Sequence, residues 1–311
     1  MNAEDREMTG GRGQMANQAD RYFDEAEDFA RLGRYEEAVA SYDKAIAIKP
    51  DYTGAWNGRG IALTHLRRYT ESLASCDKAI AISPDDADGW YNRGWALDDL
   101  ERYTDAIESY EKALALKPDY VEVWNSLGVA YLNLGRYEEA LVSFDKAVGN
   151  KPDYARAWNN RGWALYKLYR YRAALHSYDK ALSLKPEYAA AWFNRGITLQ
   201  DVARHKDAIA SFDKAIAIRP DDAMAWIHRG DSLSILKKYP EAVESYDKAI
   251  AIRPDDAIAW FNRGNYLQDL NRYSDAIESY DKAIALKPDY DDALCNRQSL
   301  IDYLKGKAEP V

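Results

Sequence analysis

The sequence is poor in the residues that staple small folds or build metal centres. Its 311 residues include two cysteines, Cys76 and Cys295, and four histidines. The histidines, at positions 65, 176, 205 and 228, share no metal-ligand spacing, and no cofactor is expected. No uninterrupted apolar run approaches the ~20 residues of a membrane helix. Met1 to Gly13 lack the apolar core of a secretory signal, so a cytoplasmic protein is expected. A basic excess is absent too. The net charge of −9 and pI of about 5.1 disfavour non-specific attachment to nucleic acid or to an anionic membrane.

Proline is scarce but strictly placed. Pro50, Pro84, Pro118, Pro152, Pro186, Pro220, Pro254 and Pro288 fall 34 residues apart, and seven of the nine tryptophans, from Trp56 to Trp260, keep the same step. A sustained 34-residue period means a stacked array whose core lengthens by adding units. Eight units follow: 19–52, 53–86, 87–120, 121–154, 155–188, 189–222, 223–256 and 257–290. Residues 291–304 restart a first helix as a cap. Residues 1–18 carry Gly10, Gly11 and Gly13 without helical periodicity and are expected to form a flexible arm; 305–311 form a tail. The two cysteines sit near opposite ends of this array and cannot meet in an extended stack, which fits a reducing compartment.

Within a unit, position 8 is glycine seven times, from Gly60 to Gly264. Mid-helix glycine costs about 1 kcal/mol against alanine, so its recurrence implies close helix–helix approach. Alanine recurs at positions 20 and 27, and an aromatic at 24, with Cys76 the departure. Large apolar residues at 4, 11 and 14 make one helix face. The proline at 32 stops the second helix, and the Asp-Tyr or Asp-Asp after it can cap the next first helix. Each unit reads as helix, turn, helix, stop.

Trp at 4, Gly at 8, Ala at 20, an aromatic at 24, Ala at 27 and Pro at 32 together resemble the tetratricopeptide repeat, over residues 19–304. The resemblance implies an all-α fold, a right-handed α-solenoid superhelix of antiparallel helix pairs, with first helices lining a concave groove. It further implies a non-enzymatic scaffold that binds an extended peptide or partner segment there. Groove positions 5, 9 and 12 then offer Tyr91, Trp95, Trp163, Tyr166, Phe193 and Phe261 as aromatic anchors. The alternative for these rings is packing against neighbouring helices. Position 6 offers Asn92, Asn160, Asn194 and Asn262, broken by Ser126 and His228. Asparagine amides donate and accept together and so can pair with a peptide backbone; the alternative is a local backbone partner. The chaperone-tail carboxylate clamp of this family needs several basic residues, and Arg156 alone does not supply it.

Position 7 departs from the family's leucine: it is arginine at 59, 93, 161, 195, 229, 263 and 297. Position 25 is acidic in every unit, and the single Leu127 follows the single Glu111. Each arginine is expected to pair with the aspartate of the preceding unit. Catalysis finds no support. Asp98 and Asp99 diverge by about 100° on a helix, and Gly10-Gly11-Arg12-Gly13 precedes no strand. Asp20, Asp24, Glu27, Asp88, Asp98, Asp99 and Glu122 make the N-terminal half acidic, while Arg156 and Lys167 follow mid-array. The expected partners are proteins or peptides with basic residues, with homo-oligomerisation left open. An accessory or regulatory subunit of a larger enzyme, and a nucleic-acid-binding helical repeat, are the alternatives.

Overall fold

The computed structural model describes the backbone of residues 3–308 and the side chains of 17–307. The remaining residues of the expected arm and tail, 1–2 and 309–311, lie outside the described residues. The chain divides into two compact units, Met1–Ala164 and Leu165–Val311. The first holds α1 (Ala3–Arg31), α2 (Tyr35–Ile48), α3 (Thr53–His65), α4 (Tyr69–Ile82), α5 (Ala87–Asp99), α6 (Tyr103–Leu116), α7 (Val121–Asn133), α8 (Tyr137–Asn150) and most of α9 (Ala155–Lys167). The second holds α10 (Tyr171–Leu184), α11 (Ala189–Asp201), α12 (His205–Ile218), α13 (Ala223–Ile235), α14 (Tyr239–Ile252), α15 (Ala257–Asp269), α16 (Tyr273–Leu286) and α17 (Asp291–Ala308). Among the described residues there is no strand. Inside each unit the helices form tandem pairs, each packed on the next, and first helices of neighbouring repeats also touch, as α3 and α5 do, or α11 and α13. The fold is all-α and solenoid-like.

The expected arm differs. Its backbone is helical from Ala3 and continuous with the first repeat. Residues 3–9 (AEDREMT) are mostly helix formers with no proline to stop them, and three glycines weaken such a helix without forbidding it.

The paired helices close where glycine allows it. An alanine Cβ at Gly94 would lie 2.4 Å from the Tyr110 ring, and one at Gly196 2.5 Å from the Phe212 ring. The recurrent glycine is thus the seat of the aromatic at position 24, whose rings are almost wholly buried. The turn between paired helices uses a left-handed residue at position 15. Gly33 and Gly135 fill it in two repeats, but Arg67, Glu101, Tyr169, Ala203, Lys237 and Asn271 adopt the same φ of 57–60°.

Tryptophan and proline share a period for a physical reason. The indole Nε1–H of each repeat donates to the proline carbonyl just before its first helix, as Trp56 to Pro50 at 2.9 Å and Trp192 to Pro186 at 2.8 Å. The capping expectation holds only in part. Asp86, Asp222 and Asp256 accept from first-turn amides, whereas Tyr52, Tyr120 and Tyr188 provide no side-chain cap. Where tyrosine stands, the lysine before the proline covers its ring, Lys117 Nζ lying 4.2 Å from the Tyr120 centroid. Where arginine precedes the proline it pairs instead with the capping aspartate, as Arg219 does with Asp222 at 2.8 Å.

The expected arginine pairing is present at all seven arginines. Arg59–Asp43, Arg93–Asp77, Arg161–Asp145, Arg195–Asp179, Arg229–Asp213 and Arg263–Asp247 span 2.6–2.8 Å, and Arg297 meets Asp281. Each bond ties a first helix to the second helix of the preceding repeat.

Candidate functional site

Helix geometry sorts the first-helix residues into faces. In α7, Asn125, Val129 and Asn133 recur at i, i+4 and i+8, so they share one side. That side, with the ends of α5 and α9, lines a cleft of about 480 Å³ that includes Trp95, Asp98, Asp99, Arg156 and Asn160. All of these residues belong to the first compact unit. The cleft combines an aromatic wall, amides able to donate and accept, three carboxylates once Glu101 is counted, and one guanidinium. Such a lining suits a polypeptide segment carrying a basic side chain better than a small apolar ligand.

Trp95 is half-buried. One edge meets His65 at 5.4 Å, and His65 stacks in turn on Tyr35 at 4.3 Å. This row holds the indole in place beside the cleft. Asp98 is the most perturbed acid of the site. Burial pushes its pKa up to about 6; the Tyr110 hydroxyl, donating to Oδ2 at 2.7 Å, opposes the rise, and the neighbouring Asp99 adds to it. Its other oxygen, Oδ1, is buried and accepts no hydrogen bond from the described residues. A cation placed there would relieve both the desolvation and the missing partner.

The asparagine row is only partly offered to a ligand. Asn160 donates from Nδ2 to Asn125 Oδ1 at 3.0 Å and accepts from Asn159 Nδ2 at 3.2 Å, so it is held by side chains of its own and the preceding repeat. Asn92 is buried, 6% exposed, with little amide surface for a peptide. Asn194 and Asn262 are half-buried on α11 and α15.

Most of the expected anchors are engaged in packing. Tyr91 lies 6.1 Å from Tyr110 and 5.4 Å from Tyr120. Phe193 meets Phe212 at 5.9 Å and His228 at 5.6 Å; Phe261 meets Tyr280 at 6.0 Å and Tyr290 at 4.9 Å. Phe23 repeats the pattern against Tyr42 and Tyr52. An aromatic at position 5 therefore bridges the deep ring of its own repeat and, in most cases, the loop that follows. Trp163 is half-buried on α9, and the Tyr166 hydroxyl donates to Asp201 at 2.8 Å in the second unit. Only Trp95 and Asn160 of the ten candidates line the cleft. Glu101, Tyr103 and Asn133 of its lining were not singled out by sequence; Asn133 lies on the Asn125–Val129 stripe of α7, which could have pointed to it.

Among the described residues no group of three or more His, Cys, Asp or Glu could hold a metal ion, and no helix is long and apolar enough to cross a membrane. Cys76 is buried, which pushes its thiol up to about 12, and Cys295 is exposed.

Family models of the tetratricopeptide repeat match residues 23–87, 91–155, 155–188, 189–222, 230–270 and 257–290. The chain belongs to the tetratricopeptide repeat family. Solved tetratricopeptide repeat proteins share the architecture. YrrB, described as having an unusual peptide-binding site, is 26% identical, with 60% of this chain and 96% of that one covered at a TM-score of 0.51. A tetratricopeptide repeat protein of Parabacteroides merdae is 17% identical, with 81% and 99% covered at a TM-score of 0.61. PilF of Pseudomonas aeruginosa is 20% identical, with 68% and 94% covered at 0.59. No curated protein matches the chain.

Proposed function

We propose that this tetratricopeptide repeat protein is a non-enzymatic scaffold that holds an extended segment of a partner protein against its first helices, with the cleft at Trp95 and Asp98 as the main recognition point. The carrying observation is the half-buried Asp98, raised to about 6 and with one oxygen unpartnered, beside an indole wall and the Asn125–Asn160 amide pair. A lysine or arginine of the segment enters against Asp98, Asp99 and Glu101, an apolar neighbour lies on Trp95, and the amides meet the segment's backbone. The likeness to YrrB supports peptide binding as the mode of action.

The test is a selection from a displayed random-peptide library on the immobilised protein. The expected winners pair a basic residue with an adjacent apolar one and fail to bind a Trp95→Ala variant. Winners without basic residues, or winners indifferent to Trp95, would contradict the reading.

A further inference from the structure

The repeat junctions act as templates for one another. At Arg195, Arg229 and Arg263 the guanidinium sits in the same three-sided clamp. Nε donates to the position-25 aspartate of the preceding repeat at 2.6–2.7 Å. A terminal nitrogen donates at 2.7 Å to the position-23 serine of its own repeat: Ser211, Ser245 and Ser279. The guanidinium carbon lies 5.7–5.8 Å from the centroid of the position-4 indole. Arg59 and Arg93 make the same aspartate and serine bonds.

One junction keeps the clamp and lacks the arginine. Between the third and fourth repeats the three sides are Glu111, Ser143 and Trp124, and position 7 is Leu127. Leucine is too short to cross the gap, and a cleft of about 430 Å³ opens among α6, α7 and α8, lined by these four residues with Tyr131 and Val142 among its walls. Glu111 receives the Tyr131 hydroxyl only at a long 3.3 Å, and the Ser143 hydroxyl donates to the Glu139 carbonyl at 2.9 Å, as Ser211 and Ser245 donate to Asp207 and Glu241, so its oxygen faces the cleft as an acceptor in the same pose. Val142 is 58% exposed, so its side chain is open to cover by a bound segment. This cleft uses Trp124, Leu127 and Tyr131 of α7, the i, i+3, i+7 stripe, whereas the Trp95 cleft uses the Asn125, Val129, Asn133 stripe. The two lie on different faces of one helix.

We propose that the Trp124–Glu111–Ser143 cleft is a second docking site, which takes an arginine side chain of a partner protein flanked by aliphatic residues. The arginine enters from outside into the place that Arg59, Arg93, Arg195, Arg229 and Arg263 fill from within, against an acid of one repeat and a serine of the next. Its guanidinium pairs with Glu111, donates to Ser143 and faces the Trp124 indole, while the flanking aliphatic residues cover Val142 and Leu127. Arginine is favoured over lysine because the clamp presents acceptors to two nitrogens of one planar group and an aromatic face to its plane. The site is independent of the first-helix cleft and stands or falls separately.

The test follows the Trp124 indole N–H signal of the full chain by 1H–15N NMR, assigned with Trp124→Phe, during titration with an acetylated, amidated leucine–arginine–leucine tripeptide. The expected result is a saturable shift that weakens about ten-fold or more when citrulline, neutral and nearly isosteric, replaces arginine. Leu127→Arg supplies the missing guanidinium in cis, in a form the fold already accepts at seven junctions, and should abolish the saturable shift. Glu111→Gln, a change at an exposed position, should weaken it. No saturable shift, equal binding of the citrulline peptide, or unchanged binding to Leu127→Arg would each overturn the proposal.

Discussion

Replacing Gly196 by alanine adds one methyl group at the point where α11 meets α12. That Cβ would stand 2.5 Å from Phe212 Cε1 and 2.8 Å from two further ring carbons, well inside van der Waals contact. The ring is fully buried and touches Phe193 and His228 on its other sides, so it cannot simply turn away. Overpacking of this kind costs about 1–3 kcal/mol. Helix propensity alone favours alanine over glycine by about 1 kcal/mol and acts in the opposite direction. Three ring carbons within 2.8 Å of the new Cβ put the clash at the upper end of that range, about 2–3 kcal/mol, so after the propensity gain the net expectation is destabilisation by about 1–2 kcal/mol. Urea unfolding measures it, with hydrogen exchange of the α11 and α12 amides to keep the reading local, because an array need not unfold in one step. Adding Phe212→Leu should relieve part of the clash, so the double variant should lose less than the sum of the two single ones. A Gly196→Ala protein as stable as the parent, or more so, would refute the steric reasoning and leave propensity as the dominant effect.

Other expectations follow from single residues. Arg195, 23% exposed, and Asp179, 56% exposed, should show a coupling energy of about 0.5–1 kcal/mol in a double-mutant cycle that shrinks with added salt; a value near zero would make the pairing a bystander. Ala203 occupies a left-handed turn position at φ 58°, so Ala203→Gly should stabilise by about 1 kcal/mol in a thermal melt, and Gly135→Ala should destabilise by a similar amount. Asp98 is raised in the folded state from an ordinary 3.8 to about 6, so the folded protein binds its proton more tightly than the unfolded one. Stability should therefore fall as pH rises from about 4 to about 6, by at most about 3 kcal/mol for a shift of two units, and Asp98→Asn should remove that slope. A slope unchanged by Asp98→Asn would place its source elsewhere.

The array was legible because its physics repeats. Trp56 and Pro50 share a period since one donates to the other, and Gly196 recurs since Phe212 must sit on it. The arginine pairing was legible from one coincidence, Leu127 beside Glu111, which marked positions 7 and 25 as partners. Three features were hidden. The left-handed turn is filled by Ala203 or Tyr169 as readily as by Gly33, so no residue type announces it. Lys117 covering Tyr120 and Arg219 pairing with Asp222 are two solutions at one place, visible only once the loop is folded. Periodicity put Phe193 and Trp95 on the same broad face, but it could not say that Phe193 lodges between Phe212 and His228 while Trp95 borders a cleft.

The most direct measurement is the affinity of a library-selected peptide for the parent protein, Trp95→Ala and Asn160→Ala, by isothermal titration calorimetry at pH 7, with Leu127→Arg as a control on the other face of α7. The expected result is a loss of about ten-fold or more with each cleft variant, equivalent to about 1.4 kcal/mol, and no change with Leu127→Arg. Equal affinity for the parent protein and both cleft variants would contradict the assignment of this cleft as the recognition site.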